Sequence, residues 1–280
     1  MELEGKVALV TGASRGVGAA TAVALAQAGC RVACAARATR AAPMKTPGTL
    51  DETLERIARA GGEGLAVPTN LAAEEEVVAM VRRSVAHFGG LDILVNNAAI
   101  TFVGDLDIPL KRHDLVMNVN LRAPLVAIRE AVPSMKARGG GSIVNLSSQA
   151  ALRAIPGLMS YGVSKLGLER LTLDVASQLQ GDQIACNVFR IDIPVASEGF
   201  VANTPGFDRS DWEPCEVAAE GILWMLRQPP SYSGRLASMH ELRRTQGIMK
   251  SRAQRPYRGE VLTELREGLV SLDMPVTGSE

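Results

Sequence analysis

The chain has 280 residues, of which 46% are hydrophobic, so it is long enough and apolar enough to form one large α/β domain without disulfides or a structural metal. Lysine plus arginine and aspartate plus glutamate number 30 each, which argues against bulk attraction to nucleic acid or to an anionic membrane, and the 4% aromatic content disfavours a base-stacking surface. No run of 18 apolar residues occurs, so we expect no transmembrane helix.

Short apolar runs alternate with longer helical patterns along the chain. Strand character, with continuous apolar side chains, is found at 6–11, 31–36, 64–68, 91–96, 142–147, 183–191 and 234–238. Helical periodicity is found at 16–28, 50–60, 74–88, 111–137, 160–179 and 214–228. In the longest of these helices, Pro124 is expected to introduce a kink and Pro133 to weaken the end.

Buried strands that alternate with helices indicate a parallel sheet covered on both faces. We therefore predict an α/β, doubly wound Rossmann fold in a single domain over residues 1–240. Residues 37–49 form a long basic loop, and residues 194–211 form a long loop beyond the sixth strand that we expect to act as a lid.

A C-terminal extension, partly helical, is predicted over 241–280. Six basic residues lie within 240–258, and we expect a solvated extension there rather than a binding site for an acidic partner. Residues 259–272 have helical periodicity with one apolar stripe. That stripe either caps its own subunit or docks across an oligomer interface.

The first strand runs directly into the sequence TGASRGVG, residues 11–18. Gly12 would allow a tight turn, a missing side chain at Gly16 would let the backbone approach a pyrophosphate, and Gly18 would let the helix pack closely on the sheet. The N-terminus of that helix would then stabilise the phosphate charge. At the first strand-to-helix turn of a doubly wound sheet, this pattern indicates a dinucleotide site.

The end of the second strand decides which dinucleotide is expected. An enzyme that uses NAD usually has a carboxylate there, but this chain has Ala36 followed by Arg37, and Arg15 lies inside the glycine loop. Two arginines without an acid suit a 2′-phosphate, so we favour NADP(H) over NAD(H). The alternative is that Arg37 is an ordinary solvated loop residue; Arg40 and Lys45 are weaker candidates.

Tyr161 and Lys165 are four residues apart in the helix predicted at 160–179, so they lie on one face, one turn apart. Most pairs of this kind are solvated surface pairs. Here the glycine loop favours a chemical role, because it predicts a bound dinucleotide. A lysine ammonium one turn away is expected to lower the pKa of a phenol, which is about 10 in the free side chain.

Several motifs in this order resemble the short-chain dehydrogenase/reductase family over residues 5–240: TGASRGVG, NNAA at 96–99, Asn120, Ser148, Tyr161 and Lys165. The long loop after the second strand is similar to that of the hydroxysteroid dehydrogenase-like branch. The resemblance implies an NAD(P)(H)-dependent oxidoreductase that interconverts a ketone or aldehyde and an alcohol by hydride transfer. It also implies a homodimer or homotetramer built largely on the two longest helices.

The resemblance also implies catalytic roles. Tyr161 would exchange a proton with the substrate oxygen, Lys165 would hydrogen-bond the nicotinamide ribose, and Ser148 would hydrogen-bond the substrate oxygen. Ser147 is the neighbouring alternative to Ser148.

Asn120 would hold a water that relays protons to Lys165, and Asn118 is the alternative at this position. Asn96 would brace the sheet beside the cofactor. The remaining cofactor-binding residues that the resemblance implies are Gly12, Ser14, Arg15, Gly16, Val17, Gly18, Arg37, Asn70, Leu71, Asn97, Ala98 and the backbone of Ile193.

The chain departs from the family pattern at three places. Ala99 replaces a glycine, which adds one methyl group, and Asn70 replaces an aspartate that would contact the adenine. Ile191 and Asp192 replace a Pro-Gly pair after the sixth strand. Asp192 either forms a structural salt bridge with a neighbour such as Arg190, or faces the active site, where it selects the substrate or holds the nicotinamide carboxamide.

Apolar residues in and beside the lid favour a hydrophobic ketone or secondary alcohol as the small-molecule substrate, although ordinary packing explains them equally well. These residues are Met159, Val195, Phe200, Val201, Pro205, Phe207 and Trp212. A different function is also open, because Asp192 stands where a glycine is usual: a catalytically weak dinucleotide-binding regulatory protein. The complete set of Ser148, Tyr161 and Lys165 favours the enzyme.

The four cysteines, Cys30, Cys34, Cys186 and Cys215, form no C-x-x-C motif, and none has a histidine at metal-ligand spacing. We expect reduced thiols and no metal site. The N-terminal sequence MELEGKVALV begins with acidic residues and has too short an apolar run for a signal peptide, so we expect a soluble cytoplasmic protein.

Overall fold

The computed structural model describes residues 1–265, in which the chain folds around a seven-stranded sheet. The strands are β1 (Val7–Thr11), β2 (Arg31–Ala36), β3 (Glu63–Pro68), β4 (Ile93–Asn96), β5 (Gly141–Ser148), β6 (Ile184–Ile191) and β7 (Leu236–Ser238). All pairs are parallel, and the order across the sheet is β3-β2-β1-β4-β5-β6-β7. The predicted doubly wound fold is confirmed. The strand order reverses between β1 and β4, which opens a crevice at their carboxyl ends.

Helices cover both faces of this sheet. They are α1 (Gly16–Gln27), α2 (Leu50–Arg59), α3 (Glu74–Phe88), α4 (Leu110–Met117), α5 (Ala123–Ala137), α6 (Met159–Gln178), α7 (Glu198–Asn203), α8 (Cys215–Leu226) and α9 (Met239–Gln246). A capping box begins α2, because the Thr49 side chain accepts from the Glu52 N–H and the Glu52 side chain accepts from the Thr49 N–H. Gly89, in the left-handed conformation, ends α3.

Successive residues of each strand face two different cores. In β1, Ala8 and Val10 belong to the core that contains α1, α2 and α8, whereas Val7 and Leu9 belong to the core that contains α3, α5 and the end of α6. All five residues of β1 are therefore buried. Burial on both faces is the reason that the central strands read as continuous apolar runs rather than as alternating patterns.

The helix predicted over 111–137 is divided by one wide turn. α4 runs into a π-helical turn at Asn118–Arg122, and α5 follows without a break. Pro124 has no N–H for the carbonyl of Asn120, so the ladder shifts and the Ala123 N–H donates to the carbonyl of Asn118. The irregularity predicted at Pro124 is thus a π turn, while Pro133 lies inside α5, which continues to Ala137.

The segment predicted as a lid loop, 194–211, contains the helix α7, so the prediction of a loop throughout was wrong. The Ser197 side chain accepts from the Phe200 N–H and caps this helix. The base of the lid is closed by a parallel bridge between Val195 and Glu213, in which the Ala196 N–H donates to the Glu213 carbonyl. The lid is therefore anchored at both ends.

The C-terminal extension packs on the domain. Leu242 of α9 and Met249 belong to the core that contains α1, α2 and α8. Arg243 pairs with the buried Glu213 at 2.8 Å. Further ion pairs join Arg252 to Glu220 and Arg255 to Asp208. The expectation of a solvated basic extension was therefore wrong for Arg243, whereas Arg252 and Arg255 form ion pairs but stay exposed. A helix was predicted over 259–272, but residues 259–265 have no regular secondary structure. The rest of that prediction lies outside the described residues.

Candidate active site

The turn between β1 and α1 is shaped by glycines. Gly12 and Gly16 have φ of 68° and 59°, in the left-handed region that disfavours a side chain. A Cβ on Gly12 would lie 2.7 Å from Asn97 Nδ2, and a Cβ on Gly18 would lie 2.3 Å from the Gly12 carbonyl oxygen. Because β-carbons do not fit at these positions, the backbone of the loop lies directly against the end of β4.

The end of β4 is fixed to this loop by Thr11. The backbone N–H groups of Asn97 and Ala98 both donate to Thr11 Oγ1 at 3.1 Å, and Asn97 Nδ2 donates to the Thr11 carbonyl at 2.8 Å. One residue earlier, Asn96 Nδ2 donates to Asn145 Oδ1 of β5 at 2.8 Å. These contacts hold β1, β4 and β5 together at their carboxyl ends, where Asn97 and Ala98 were predicted to bind the cofactor.

The residues of the glycine loop fit a dinucleotide. Arg15 is the N-cap residue of α1, and its side chain does not bond the first turn of the helix. The N–H groups of that turn are therefore available to an anion, and Ser14 and Val17 are buried within the same loop. A bare backbone cradle at an uncapped helix N-terminus matches the requirements of a pyrophosphate.

Two arginines lie where the adenosine end of a bound dinucleotide is expected. Arg15 Nη2 donates to the Gly48 carbonyl at 3.0 Å, which folds the 37–49 loop back onto the glycine loop. Burial lowers the pKa of Arg15, Glu198 opposes that change, and the positive charge of Arg37 lowers the pKa further, so the two guanidinium groups are near each other. Arg37 is exposed and has no ion pair or hydrogen bond within residues 1–265, whereas Arg40 pairs with Glu55.

Two predicted cofactor residues after β3 have structural contacts. Asn70 is exposed, its Oδ1 accepts from the Ala72 N–H at 3.2 Å, and its own N–H donates to Glu76 at 2.7 Å. Asn70 therefore forms the turn before α3. Leu71 packs against the core on the side of α3. A role for either residue in cofactor binding stays a prediction.

Ser148 and Tyr161 are brought together by the end of β5 and the first turn of α6. The Ser148 side chain is near enough to the phenol to lower its pKa, and Ser148 Oγ accepts from the Ala150 N–H at 3.2 Å. Ser147, the alternative to Ser148, is buried, and its hydroxyl has no partner within the described residues. Of the two serines, Ser148 is therefore the one that shares a site with the tyrosine.

Lys165 lies one turn after Tyr161 and is only 2% exposed. Its Nζ donates to the Leu146 carbonyl at 2.8 Å and lies 5.6 Å from the centre of the Tyr161 ring. Burial lowers the pKa of Lys165 to about 8, although the Glu169 carboxylate opposes this change.

The prediction that Lys165 lowers the pKa of Tyr161 was wrong for this structure. Burial raises the pKa of the phenol, and the nearby Ser148 side chain only partly opposes the rise. The physical reason is that the phenolate would be desolvated, while Lys165 itself is buried and held by a carbonyl.

Asn120 lies in the π turn and braces two segments. Its Nδ2 donates to the Ile100 carbonyl at 2.9 Å and to Ser164 Oγ at 3.1 Å, and its Oδ1 accepts from the Ile100 N–H at 2.9 Å. Ser164 Oγ in turn donates to the Tyr161 carbonyl at 2.7 Å. The side chain of Asn120 thus positions α6 against the segment after β4, and its part in a proton relay stays a prediction.

Asp192 does not pair with Arg190, so the predicted salt bridge was wrong. Arg190 is held by Glu169, with Nε–Oε1 and Nη2–Oε2 distances of 2.9 and 2.7 Å. Asp192 Oδ1 instead accepts from the His240 N–H at 3.1 Å, in the first turn of α9, and the Ser238 side chain also bonds this carboxylate. Burial raises the pKa of Asp192, and its Oδ2 has no partner within residues 1–265.

The lid reaches the glycine loop. A Cβ on Gly16 would lie 3.1 Å from Ser197 Cβ and 3.5 Å from Glu198 Oε2. Sequence reasoning missed both lid residues, although a serine three residues before Phe200 is a signal for a helix N-cap. It also missed the Glu169–Arg190 pair, for which no local pattern exists.

Some of the apolar lid residues pack within the lid, while Phe200 and Pro205 stay exposed. Phe200 stacks on Trp212 with 4.6 Å between ring centres, and Trp212 and Val195 are buried.

The four cysteines are free thiols, and burial raises the pKa of each to about 12. Within residues 1–265, no three His, Cys, Asp or Glu side chains are grouped to hold a metal ion.

Comparison with known proteins agrees with this geometry. The family model for short chain dehydrogenases matches residues 6–193. Hydroxysteroid dehydrogenase-like protein 2 from Bos taurus is 32% identical over 252 residues, and the match covers 88% of this chain but only 59% of that relative. This similarity agrees with the branch resemblance of the sequence.

Two solved structures are also similar. A short chain dehydrogenase from Mycobacterium thermoresistibile is 27% identical with a TM-score of 0.79, and the match covers 91% of this chain and 94% of that one. A metagenomic short-chain oxidoreductase in complex with NADP is 29% identical with a TM-score of 0.69, and the match covers 85% of this chain and 99% of that one.

Proposed function

The chain belongs to the short-chain dehydrogenase family, and on that premise we propose that it is an NADP(H)-dependent oxidoreductase that interconverts a ketone or aldehyde and an alcohol. The observation that carries the proposal is the buried Lys165, whose Nζ lies 5.6 Å from the centre of the Tyr161 ring, with Ser148 near enough to the phenol to lower its pKa. These side chains stand at the carboxyl edge of the sheet, beside the strand-order reversal where ligands bind in such folds.

The proton would be handled by Tyr161. Its raised pKa keeps the phenol protonated at neutral pH, so it is poised to donate to a developing alkoxide when a carbonyl is reduced. Ser148 would hydrogen-bond the same substrate oxygen and polarise it. Lys165, with a pKa of about 8, would exchange protons near neutral pH while Leu146 holds its position. A bound nicotinamide dinucleotide supplies the hydride acceptor or donor.

The cofactor would be held by the glycine loop, Asn97, Ala98 and the buried backbone of Ile193. Arg15 and Arg37 support the choice of NADP(H), because both guanidinium groups lie beside the glycine loop and Arg37 has no carboxylate partner within the described residues. The complex of a similar oxidoreductase with NADP points the same way.

A pair of matched substitutions tests the cofactor choice. We expect Arg37→Ala to lower the ratio of NADPH to NADH affinity by about tenfold or more, since a charged hydrogen bond to phosphate is lost. Arg40→Ala is the control, because that arginine is already paired with Glu55. Fluorescence titration of both reduced cofactors measures the ratio. If Arg37→Ala leaves the ratio unchanged, the choice of NADP(H) is wrong.

The reaction is tested with a panel of ketones, aldehydes and alcohols, assayed with NADPH, NADH and their oxidised forms. We expect turnover by the wild type that Tyr161→Phe abolishes and Tyr232→Phe preserves, since Tyr232 packs edge-on against Trp224. Cofactor binding without turnover on any member of the panel would instead favour the catalytically weak dinucleotide-binding regulator.

We also propose a homodimer or homotetramer. Apolar side chains on the outer faces of α5 and α6 are between 37% and 50% exposed and support this assembly: Leu125, Val163, Leu166 and Leu173. Sedimentation equilibrium of the wild type and of Val163→Glu would test it, and a monomeric wild type would rule it out.

None of the helices within residues 1–265 has the length and apolar character to span a bilayer. A cytoplasmic location stays a prediction.

A further inference from the structure

The C-terminal segment, residues 249–262, crosses the carboxyl edge of the sheet and reaches the catalytic residues. It begins at the core, where Arg243 Nε donates to the Met249 carbonyl at 2.7 Å. It then passes the base of the lid, where the Arg252 N–H donates to Glu213 at 2.8 Å. It ends beside Ser148, because Gln149 Nε2 donates to the Glu260 carbonyl at 2.7 Å.

Three polar side chains near this crossing have unused hydrogen-bonding capacity within residues 1–265. Asp192 Oδ2 and Arg153 Nε are buried without a partner, and the Tyr257 hydroxyl has no hydrogen bond. A carboxylate oxygen, a guanidinium N–H and a phenol together supply both acceptors and donors. Buried polar atoms without partners are rare in native proteins, which makes Asp192 Oδ2 and Arg153 Nε informative, and the half-buried Tyr257 lies near both charges.

The fold gathers these three side chains beside the catalytic serine. Ser148 pairs with Ile191 in the sheet, so Asp192 follows immediately on the neighbouring strand. Arg153 Nη2 donates to Gln149 Oε1 at 2.9 Å, and Gln149 is the residue that holds the C-terminal segment. Burial raises the pKa of Tyr257, and beyond that effect the nearby charge of Arg153 lowers it while that of Asp192 raises it.

The position of Tyr257 is set by its own segment. A Cβ on Gly259 would lie 2.1 Å from the Tyr257 hydroxyl oxygen, so the chain turns closely around the ring. The His240 N–H accounts for Oδ1 of Asp192. The other oxygen, Oδ2, is buried and has no hydrogen-bond partner within residues 1–265.

We propose that Tyr257, Arg153 and Asp192 recognise a hydroxyl group next to the reacting carbonyl, so that the preferred substrate is a hydroxyketone or hydroxyaldehyde. This inference rests on the proposed oxidoreductase function. A substrate hydroxyl donates to Asp192 Oδ2 and accepts from Arg153 or Tyr257, whereas a plain hydrocarbon ketone leaves all three without partners. Sites built to bond a substrate hydroxyl reject analogues that lack it far more strongly than apolar pockets reject a change of shape.

The test uses two matched pairs of probes: cyclohexanone with 2-hydroxycyclohexanone, and butanone with acetoin. Each is assayed with NADPH on the wild type, Tyr257→Phe, Asp192→Asn and Tyr232→Phe. For the wild type we expect kcat/KM to favour the hydroxylated member by about a hundredfold, mainly through KM. In Tyr257→Phe and Asp192→Asn this preference should fall by about tenfold or more, and in the control Tyr232→Phe it should persist.

Folding is separated from recognition by the choice of variants. Asp192→Asn keeps an acceptor for the His240 N–H, and the NADPH dissociation constant of each variant reports whether the cofactor site is intact. Gly259→Ala, which displaces the Tyr257 ring but leaves the chemistry of Tyr257, Arg153 and Asp192 unchanged, should also reduce the preference. Equal kcat/KM within each pair, or a preference that survives Tyr257→Phe and Asp192→Asn, overturns the inference alone. No turnover of any probe by a wild type that binds NADPH overturns the proposed function together with it.

Discussion

Glu169 and Arg190 form a buried ion pair near Lys165, and the effect of its removal on the free energy of unfolding can be calculated. The side chains are 4% and 5% exposed, and two hydrogen bonds of 2.9 and 2.7 Å join them. Glu169→Gln leaves the guanidinium buried without a counter-charge, which should reduce the free energy of unfolding by about 3–5 kcal/mol. Arg190→Met should cost a similar amount, because it leaves a buried carboxylate.

The double variant, Glu169→Leu with Arg190→Met, should recover most of this loss. Replacing a whole buried ion pair by apolar side chains is often neutral, or stabilising by about 1–4 kcal/mol, since neither charge then has to be desolvated. Urea unfolding followed by circular dichroism at neutral pH measures all three variants. Arg170→Ala is the control: its partner on α6, Asp174, is exposed, and we expect no measurable change.

The same substitution should alter the catalytic lysine. The Glu169 carboxylate raises the pKa of Lys165 against the effect of burial, so Glu169→Gln should move that pKa below about 8. The pH profile of turnover should shift toward lower pH by the same amount. The reasoning is refuted if Glu169→Gln lowers the free energy of unfolding by less than about 1 kcal/mol, or if the double variant is no more stable than Arg190→Met alone.

Three further predictions concern the cofactor loop and Lys165. Gly18→Ala places a Cβ 2.3 Å from the Gly12 carbonyl oxygen. It should therefore lower the free energy of unfolding, measured with urea, by about 1–3 kcal/mol and weaken NADPH binding. Gly181→Ala is the control: it has open space around it and should change neither quantity. Glu198→Gln removes a carboxylate beside Gly16 and should tighten NADPH binding by roughly threefold to tenfold in a fluorescence titration. The control Glu220→Gln should leave the NADPH dissociation constant unchanged. Equal dissociation constants for the wild type and Glu198→Gln would contradict this prediction. The pKa of Lys165 is about 8 in the folded protein and 10.5 in a free side chain, so between these values the folded state binds fewer protons than the unfolded state and stability rises with pH. Relative to Lys165→Met, the wild type should therefore gain about 1 kcal/mol between pH 8 and pH 9 in urea unfolding, and a constant difference would show that the lysine is not buried as described.

Local patterns were sufficient to predict the architecture and the family. The continuous apolar strands and the intervening helices could be predicted because backbone geometry imposes a period on side chains, and burial on both faces removes alternation from central strands. The glycine loop was recognisable because sterics restrict left-handed backbone and close approach largely to glycine. Tyr161 and Lys165 were paired by the pitch of one helix.

Contacts between distant segments were decided only by the tertiary structure. Asp192 lies 48 residues before the His240 N–H that it accepts from, and the bond from Gln149 to Glu260 spans 111 residues. No periodicity connects such positions, because their meeting depends on sheet register and on how the lid and the C-terminal segment fold back. For the same reason the sequence favoured a salt bridge between Asp192 and its neighbour Arg190, whereas in the fold Arg190 pairs with Glu169 and one oxygen of Asp192 is buried without a partner within residues 1–265.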